Sequence, residues 1–215
     1  MKNSNPFIYR PYIDGLRALA VFPVVLFHAK FPWFEGGFVG VDIFFVISGF
    51  LITSIILKEK KNNKFSLFKF YLRRIRRIIP ALLTVALVSY PFAFLLLLPV
   101  SFLEYIGSLI SGIFFSSNLF FYFTETEYNA IPSLYKPLLH YWSLSVEEQF
   151  YILYPLSLFL IYKYFKKNLC LFFTIIAFLS FILSIYLSLY NPSLNFYLFP
   201  TRIWELLVGA FAAKL

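Results

Sequence analysis

Apolar stretches long enough to cross a membrane, repeated along a chain of only 215 residues, constrain this fold more than any other feature. They run at roughly 17–33, 37–57, 78–98, 102–123, 142–165, 169–190 and 199–215. Such runs cross a bilayer as helices, because lipid offers backbone N–H and C=O groups no partner outside the segment itself. Hydrophobic residues make up 60% of the chain and charged residues 13%. A soluble domain of this size has too much surface to hide that apolar area. A soluble enzyme and a disordered chain are therefore excluded. The expected fold is an all-α polytopic transmembrane helical bundle. The first run is read as a retained helix, not a signal peptide: Asp14 and Arg17 precede it, His28 lies within it, and no small-residue cleavage site follows. No internal repeat and no soluble domain is evident.

Lys and Arg in short loops mark the cytoplasmic side of a membrane protein. The net charge is +9, and residues 58–77 hold nine of the basic side chains against the single acid Glu59. Lys2, Arg10 and Arg17 precede the first span, whereas the connection after it has only Lys30 and Glu35. The N-terminus and the 58–77 loop are thus expected in the cytoplasm, with 30–36 outside. Strict alternation of all seven runs puts Lys163, Lys166 and Lys167 outside, against the same rule. The run at 102–123, interrupted by Glu104, Gly107, Gly112 and Asn118, is the weakest span and a candidate re-entrant segment. Cys170, alone in an apolar run, is expected as a packed thiol. Trp33, Trp142 and Trp204 are expected at the membrane interface. Two His and one Cys offer no metal-site pattern.

Ionisable residues inside spans are costly, so they are candidates for function. Arg17 and His28, eleven residues apart, share one helix face about 16 Å apart along the axis. They can line a passage between the two sides, or serve as a snorkelling Arg and a His bonded to a neighbouring helix. Asp42, after Gly36, Gly37 and Gly40, can orient His28, pair an Arg, or simply sit at a helix entry. In the cluster Arg73, Arg74, Arg76 and Arg77, the pairs 73/76 and 74/77 each share a face. Either pair can grip a polyphosphate, or the whole cluster can anchor the topology and attract anionic lipid. Glu147 and Glu148 point about 100° apart on a helix, so one can face a cavity as acid, base or partner of a His while the other faces the aqueous boundary or binds Lys or Arg; alternatively both are interfacial acids of a first turn. Arg202 and Glu205, at i and i+3, are expected to pair internally.

Five stretches carry a family resemblance when taken in order: YRPYIDGLRALAVFPVVLFHA (9–29), GGFVGVDIFFVISGFLIT (36–53), FYLRRIRRIIPA (70–81), LLHYWSLSVEEQFYILYPL (138–156) and FPTRIWELLVGA (199–210). Together they resemble the acyltransferase-3 family of integral membrane acyltransferases, which O-acetylate surface polysaccharides. The last two are most similar to the branch that often carries an SGNH-type domain and acts on lipopolysaccharide O-antigen. The resemblance implies a bacterial inner-membrane enzyme. Its donor substrate would be cytoplasmic acyl-CoA, most simply acetyl-CoA, its acceptor an extracytoplasmic glycan, and an SGNH-like domain would be fused to it or act beside it. No permanently bound cofactor, metal or nucleic acid is implied. Arg17 and His28 would form the family's catalytic Arg-x10-His motif, with His28 a general base or transient acyl carrier. Arg73–Arg76 or Arg74–Arg77 would be the RxxR motif near the donor, and Asp42, Glu147 and Glu148 fall in further motif positions. The family's membrane domain has more helices than fit here, so residues 1–215 are expected to be only the N-terminal part. The competing readings are a transporter or flippase using the same buried groups as a proton relay, and an inactive fragment.

Overall fold

The structure is a computed structural model that describes residues 11–126, 131–132, 135–164 and 169–213, the side chains of 161–164 excepted. Among these residues every regular element is helical: α1 (Pro11–His28), α2 (Gly40–Lys61), α3 (Leu67–Leu96), α4 (Pro99–Ile113), α5 (Ser117–Glu125), α6 (Tyr141–Tyr164), α7 (Leu169–Tyr190), α8 (Pro192–Tyr197) and α9 (Phe199–Ala212). A 3-10 turn, Gly37–Val39, leads into α2. The expectation of an all-α polytopic membrane protein holds. Four helices (α1, α3, α7, and α2 with its leading turn) are long and apolar enough to cross a bilayer.

Local chemistry sets the boundaries. Pro99 and Pro192 open α4 and α8, where a missing N–H costs nothing. Asn191 caps α8 by accepting a hydrogen bond from the Leu194 N–H at 3.0 Å. After α1 the chain turns through Lys30 and Trp33, both in the left-handed region at φ 54° and 75°. Lys58, Lys60 and Lys61 occupy the last turn of α2, where cations suit the helix dipole.

Contacts between helices give their relative directions. Arg17 of α1 lies over Phe44 of α2, and a Cβ at Gly40 would overlap the Ala20 carbonyl, so these two helices are antiparallel. Along α2 and α6, Phe45 meets Trp142 and Thr53 bonds Tyr154, a parallel register. Tyr71 donates to the Ile152 carbonyl and Tyr141 to the Leu82 carbonyl, so α3 runs antiparallel to α6.

The 102–123 run is not a span. It is broken into α4 and α5, a helical hairpin that enters and returns on one side. Phe102 stacks on Tyr105 and meets the rings of Tyr90 and Phe94, while Tyr105 reaches Ser89, which sends α4 back down α3. At the tip, the Phe115 carbonyl accepts from Gln149 and the Ser117 N–H donates to Ser145. The return along α5 brings Thr124 back to the level of Glu104, where Lys136 bridges them at 3.4 and 2.8 Å. Non-helical backbone at membrane depth needs such cover, and the Ser-rich tip supplies it.

This hairpin removes the conflict over Lys163. Helix α6 starts on the side where α3 ends and finishes on the side of the basic 58–77 loop. Lys166 and Lys167, and the side chain of Lys163, lie outside the described residues. Two further expectations are corrected. Trp142 is 6% exposed and packs in the core against Phe45, Phe196 and Tyr197, because α8 covers it. Cys170 is exposed, on the outer face of α7.

The tightest helix pair is α2 with α9. A side chain at Gly49 would strike the Leu206 carbonyl, and one at Gly209 the Val46 carbonyl. Glycine at both positions lets the two backbones touch. Helix α9 is thereby pressed onto the face of α2 that carries the charged residues described next.

Candidate functional site

Two clusters of charge, each built on buried glutamate, flank α2. The outer one joins α2 to α9. Arg202 donates from Nη1 to Asp42 Oδ1 at 3.1 Å and to Glu205 Oε1 at 2.9 Å, and from Nε to the Phe196 carbonyl at 3.3 Å. Its guanidinium also lies over the rings of Phe196 and Trp142 at 5.5 and 5.9 Å. The Arg202–Glu205 pair is as expected from the sequence. Asp42 joins it: its partner is Arg202, and it makes no hydrogen bond to His28. Of the readings open for Asp42, the structure favours the Arg pair.

The deeper cluster joins α2, α3 and α6. Glu147 Oε1 accepts short hydrogen bonds from Ser48 Oγ and Tyr151 OH. Tyr151 shares a face with Glu147 because they are four residues apart. Arg74 lies over the Tyr151 ring at 4.9 Å and over Phe70 at 5.6 Å. Glu148 sits within electrostatic reach of Glu147, Arg74 and Arg77. Both carboxylates are buried, 6% and 5% exposed. Of the readings open for the second acid, the aqueous boundary and the interfacial pair do not hold, because α3 and the hairpin tip cover this surface of α6; a place beside an arginine does. Among the described residues neither Arg74 nor Glu148 forms an ion pair or side-chain hydrogen bond, and Glu148 Oε1 is a buried acceptor without a donor.

The four arginines therefore separate. Arg74 is turned towards the acids, over Tyr151, and Arg77, although exposed, lies within electrostatic reach of Glu148. Arg73 is exposed and bonded to Glu59 at 2.6 Å, tying the start of α3 to the end of α2. Arg76 is exposed. A separate cavity of about 500 Å³ along the outer half of α3, lined by Val85, Val88, Phe92, Leu96 and Pro137, has almost no polar atoms and lies away from both clusters.

The third element of the site is at the far end of α6. His28 closes α1 and is exposed, its ring edge-on to Phe27 at 5.2 Å. His140 directly precedes α6, edge-on to Tyr141 at 5.0 Å. Packing of atoms around the His140 ring, and secondarily the charge of nearby His28, hold its imidazole below the usual value although part of its surface remains exposed. A His in that condition is neutral, and able to accept a proton, near pH 7. Arg17 is half-buried over Phe44 at 5.0 Å, on the same helix as His28 and towards its other end.

Sequence reasoning missed Ser48, Tyr151 and His140. The i, i+4 spacing of Glu147 and Tyr151 was a readable signal, whereas Ser48 is 99 residues away from its partner and its role depends on the parallel packing of α2 and α6.

The acyltransferase domain characteristic of the acyltransferase-3 family matches residues 10–215. The peptidoglycan O-acetyltransferase OatA of Listeria monocytogenes is 40% identical over 209 residues, covering 94% of this chain and 33% of that protein. The O-acetyltransferase OatA of Staphylococcus aureus is 36% identical over 209 residues, covering 95% of this chain and 34% of that protein. The chain thus spans about a third of the length of these curated relatives. No solved structure matches it.

Proposed function

The chain belongs to the acyltransferase-3 family, and on that premise we propose that it moves an acetyl group from cytoplasmic acetyl-CoA to a hydroxyl of an extracytoplasmic cell-wall glycan. The name of the Listeria relative favours peptidoglycan as acceptor over the O-antigen that the resemblance first implied. The membrane is the bacterial cytoplasmic membrane, with the N-terminus and the 58–77 loop inside.

The observation that carries this reading is a distance. Arg74 stacks on Tyr151, and Tyr151 is eleven helical residues from His140, about 16 Å along the axis. An extended pantetheine arm spans a comparable length. Phosphates held by Arg74 and Arg77 therefore put the thioester near the two histidines, at the side where the acceptor arrives. Guanidinium forks suit phosphate, and burial strengthens their hold.

Transfer then needs a base and alignment. His28 takes the proton from the acceptor hydroxyl as its oxygen attacks the thioester carbonyl. The C–S bond breaks, and the thiolate of CoA receives the proton from His28. Thioester and ester are close in energy, so positioning and proton transfer supply most of the acceleration. His140 shares the outer end with His28, and Arg17 steadies the donor from the inner part of α1.

The test is a transfer assay in membranes containing the chain, with labelled acetyl-CoA and a soluble glycan acceptor. His28→Ala lowers transfer by about 10²–10⁴-fold at unchanged protein level. Full transfer by that variant excludes the role. A transporter would instead move label across the membrane without forming an ester.

A further inference from the structure

Glu148 is unlike every other acid near it. Glu147 has two donors, Ser48 and Tyr151, and Asp42 and Glu205 share Arg202. Glu148 Oε1 is buried and has no donor among the described residues. Leaving a buried acceptor unmatched costs stability, so such an atom calls for an explanation. The charged groups facing it are Arg74 and Arg77 from α3 and Glu147 from its own helix, and neither arginine closes onto it as an ion pair.

A ligand that meets both the arginines and Glu148 must satisfy two sides. Towards the guanidiniums it needs anionic oxygens. Towards Glu148 it needs a neutral N–H or O–H donor, because Oε1 of Glu148 is a buried acceptor without one. A bare phosphate meets the first demand only. Phosphopantetheine meets both: hydroxyl and amide groups follow its phosphate within a few bonds.

We propose that Glu148 is a binding residue that accepts a hydrogen bond from the hydroxyl or amide of the donor's pantetheine arm, beside a phosphate held by Arg74 and Arg77. This rests on the reading of the arginine pair as the donor site. Glu148 then recognises the arm and disfavours a ligand that presents only phosphate, such as a simple phosphomonoester.

Competition against labelled acetyl-CoA, with the chain in zwitterionic nanodiscs, tests this with two probes: 4′-phosphopantetheine and methyl phosphate, a phosphomonoester with no neighbouring N–H or O–H donor. The quantity read is the ratio of their affinities. In Glu148→Leu the preference for phosphopantetheine falls about tenfold. In Glu148→Gln, which keeps a carbonyl acceptor and nearly the same shape, it falls less. A ratio unchanged in whichever of the two variants inserts overturns the proposal. Arg74→Gln separates the two levels. If it leaves binding of acetyl-CoA and of both probes as it was, the donor-site reading itself fails. If it weakens them while the Glu148 variants keep the wild-type ratio, only the assignment of Glu148 fails.

Discussion

The two charge clusters on α2 begin six residues apart, at Asp42 and Ser48, about 9 Å along one helix. Both contain Arg and a buried Glu, yet they are built differently. In the outer cluster Arg202 meets two carboxylates and a backbone carbonyl within 3.3 Å. In the deeper one, among the described residues, Arg74 and Glu148 form no ion pair, and of the two acids only Glu147 is hydrogen-bonded. A buried ion pair with its partners in place is a way to join helices. Buried charges that stop short of each other cost more than they return within the chain alone, and so point to a missing third party. Identical residue types thus serve as a clamp in one place and as a site in the other.

The sharpest break in that comparison comes from removing each arginine. Arg202→Ala strands Asp42 and Glu205 and costs about 3–5 kcal/mol, seen as a lower Tm in detergent. Arg74→Ala strands nothing that is bonded and shifts Tm far less. The reverse order would mean that the deeper cluster is the structural one. A smaller effect is expected for Tyr151→Phe. It removes one of two donors to Glu147, at about 1 kcal/mol, but keeps the ring under Arg74. Its Tm falls modestly and donor affinity stays near normal, and a large loss of affinity would give the hydroxyl a direct role. The smallest effect lies at the outer end. His28→Ala removes the lesser cause of the lowered His140 value, so that value rises part of the way towards the usual imidazole range, read from the ring-proton shifts in an NMR titration. An unmoved titration would separate the two rings.

Much of this was legible from the sequence because membrane spans declare themselves by length. The start and end of α7 coincide with the apolar run, and the weakness of the 102–123 run was written in Glu104, Gly107, Gly112 and Asn118. The hairpin itself was not legible in detail. Its direction is fixed by Tyr105 on Ser89 and by Lys136 between Glu104 and Thr124, contacts that hydropathy does not encode. The same limit applied to the arginines. Helical spacing showed that 73/76 and 74/77 were alternative faces, but the choice follows from where Tyr151 and Glu148 fall on another helix. Trp142 was misplaced for a related reason. An aromatic at a helix start suits an interface until a short element, here α8, folds over it.

The account stands on the deeper cluster being the place where the donor is held. Titrating acetyl-CoA into nanodiscs carrying the wild-type chain and Arg74→Gln, followed by calorimetry, addresses that directly. The expected result is binding by the wild type and at least about tenfold weaker binding by the variant, with the fold intact by Tm. Equal affinity in the two, at equal stability, would contradict it.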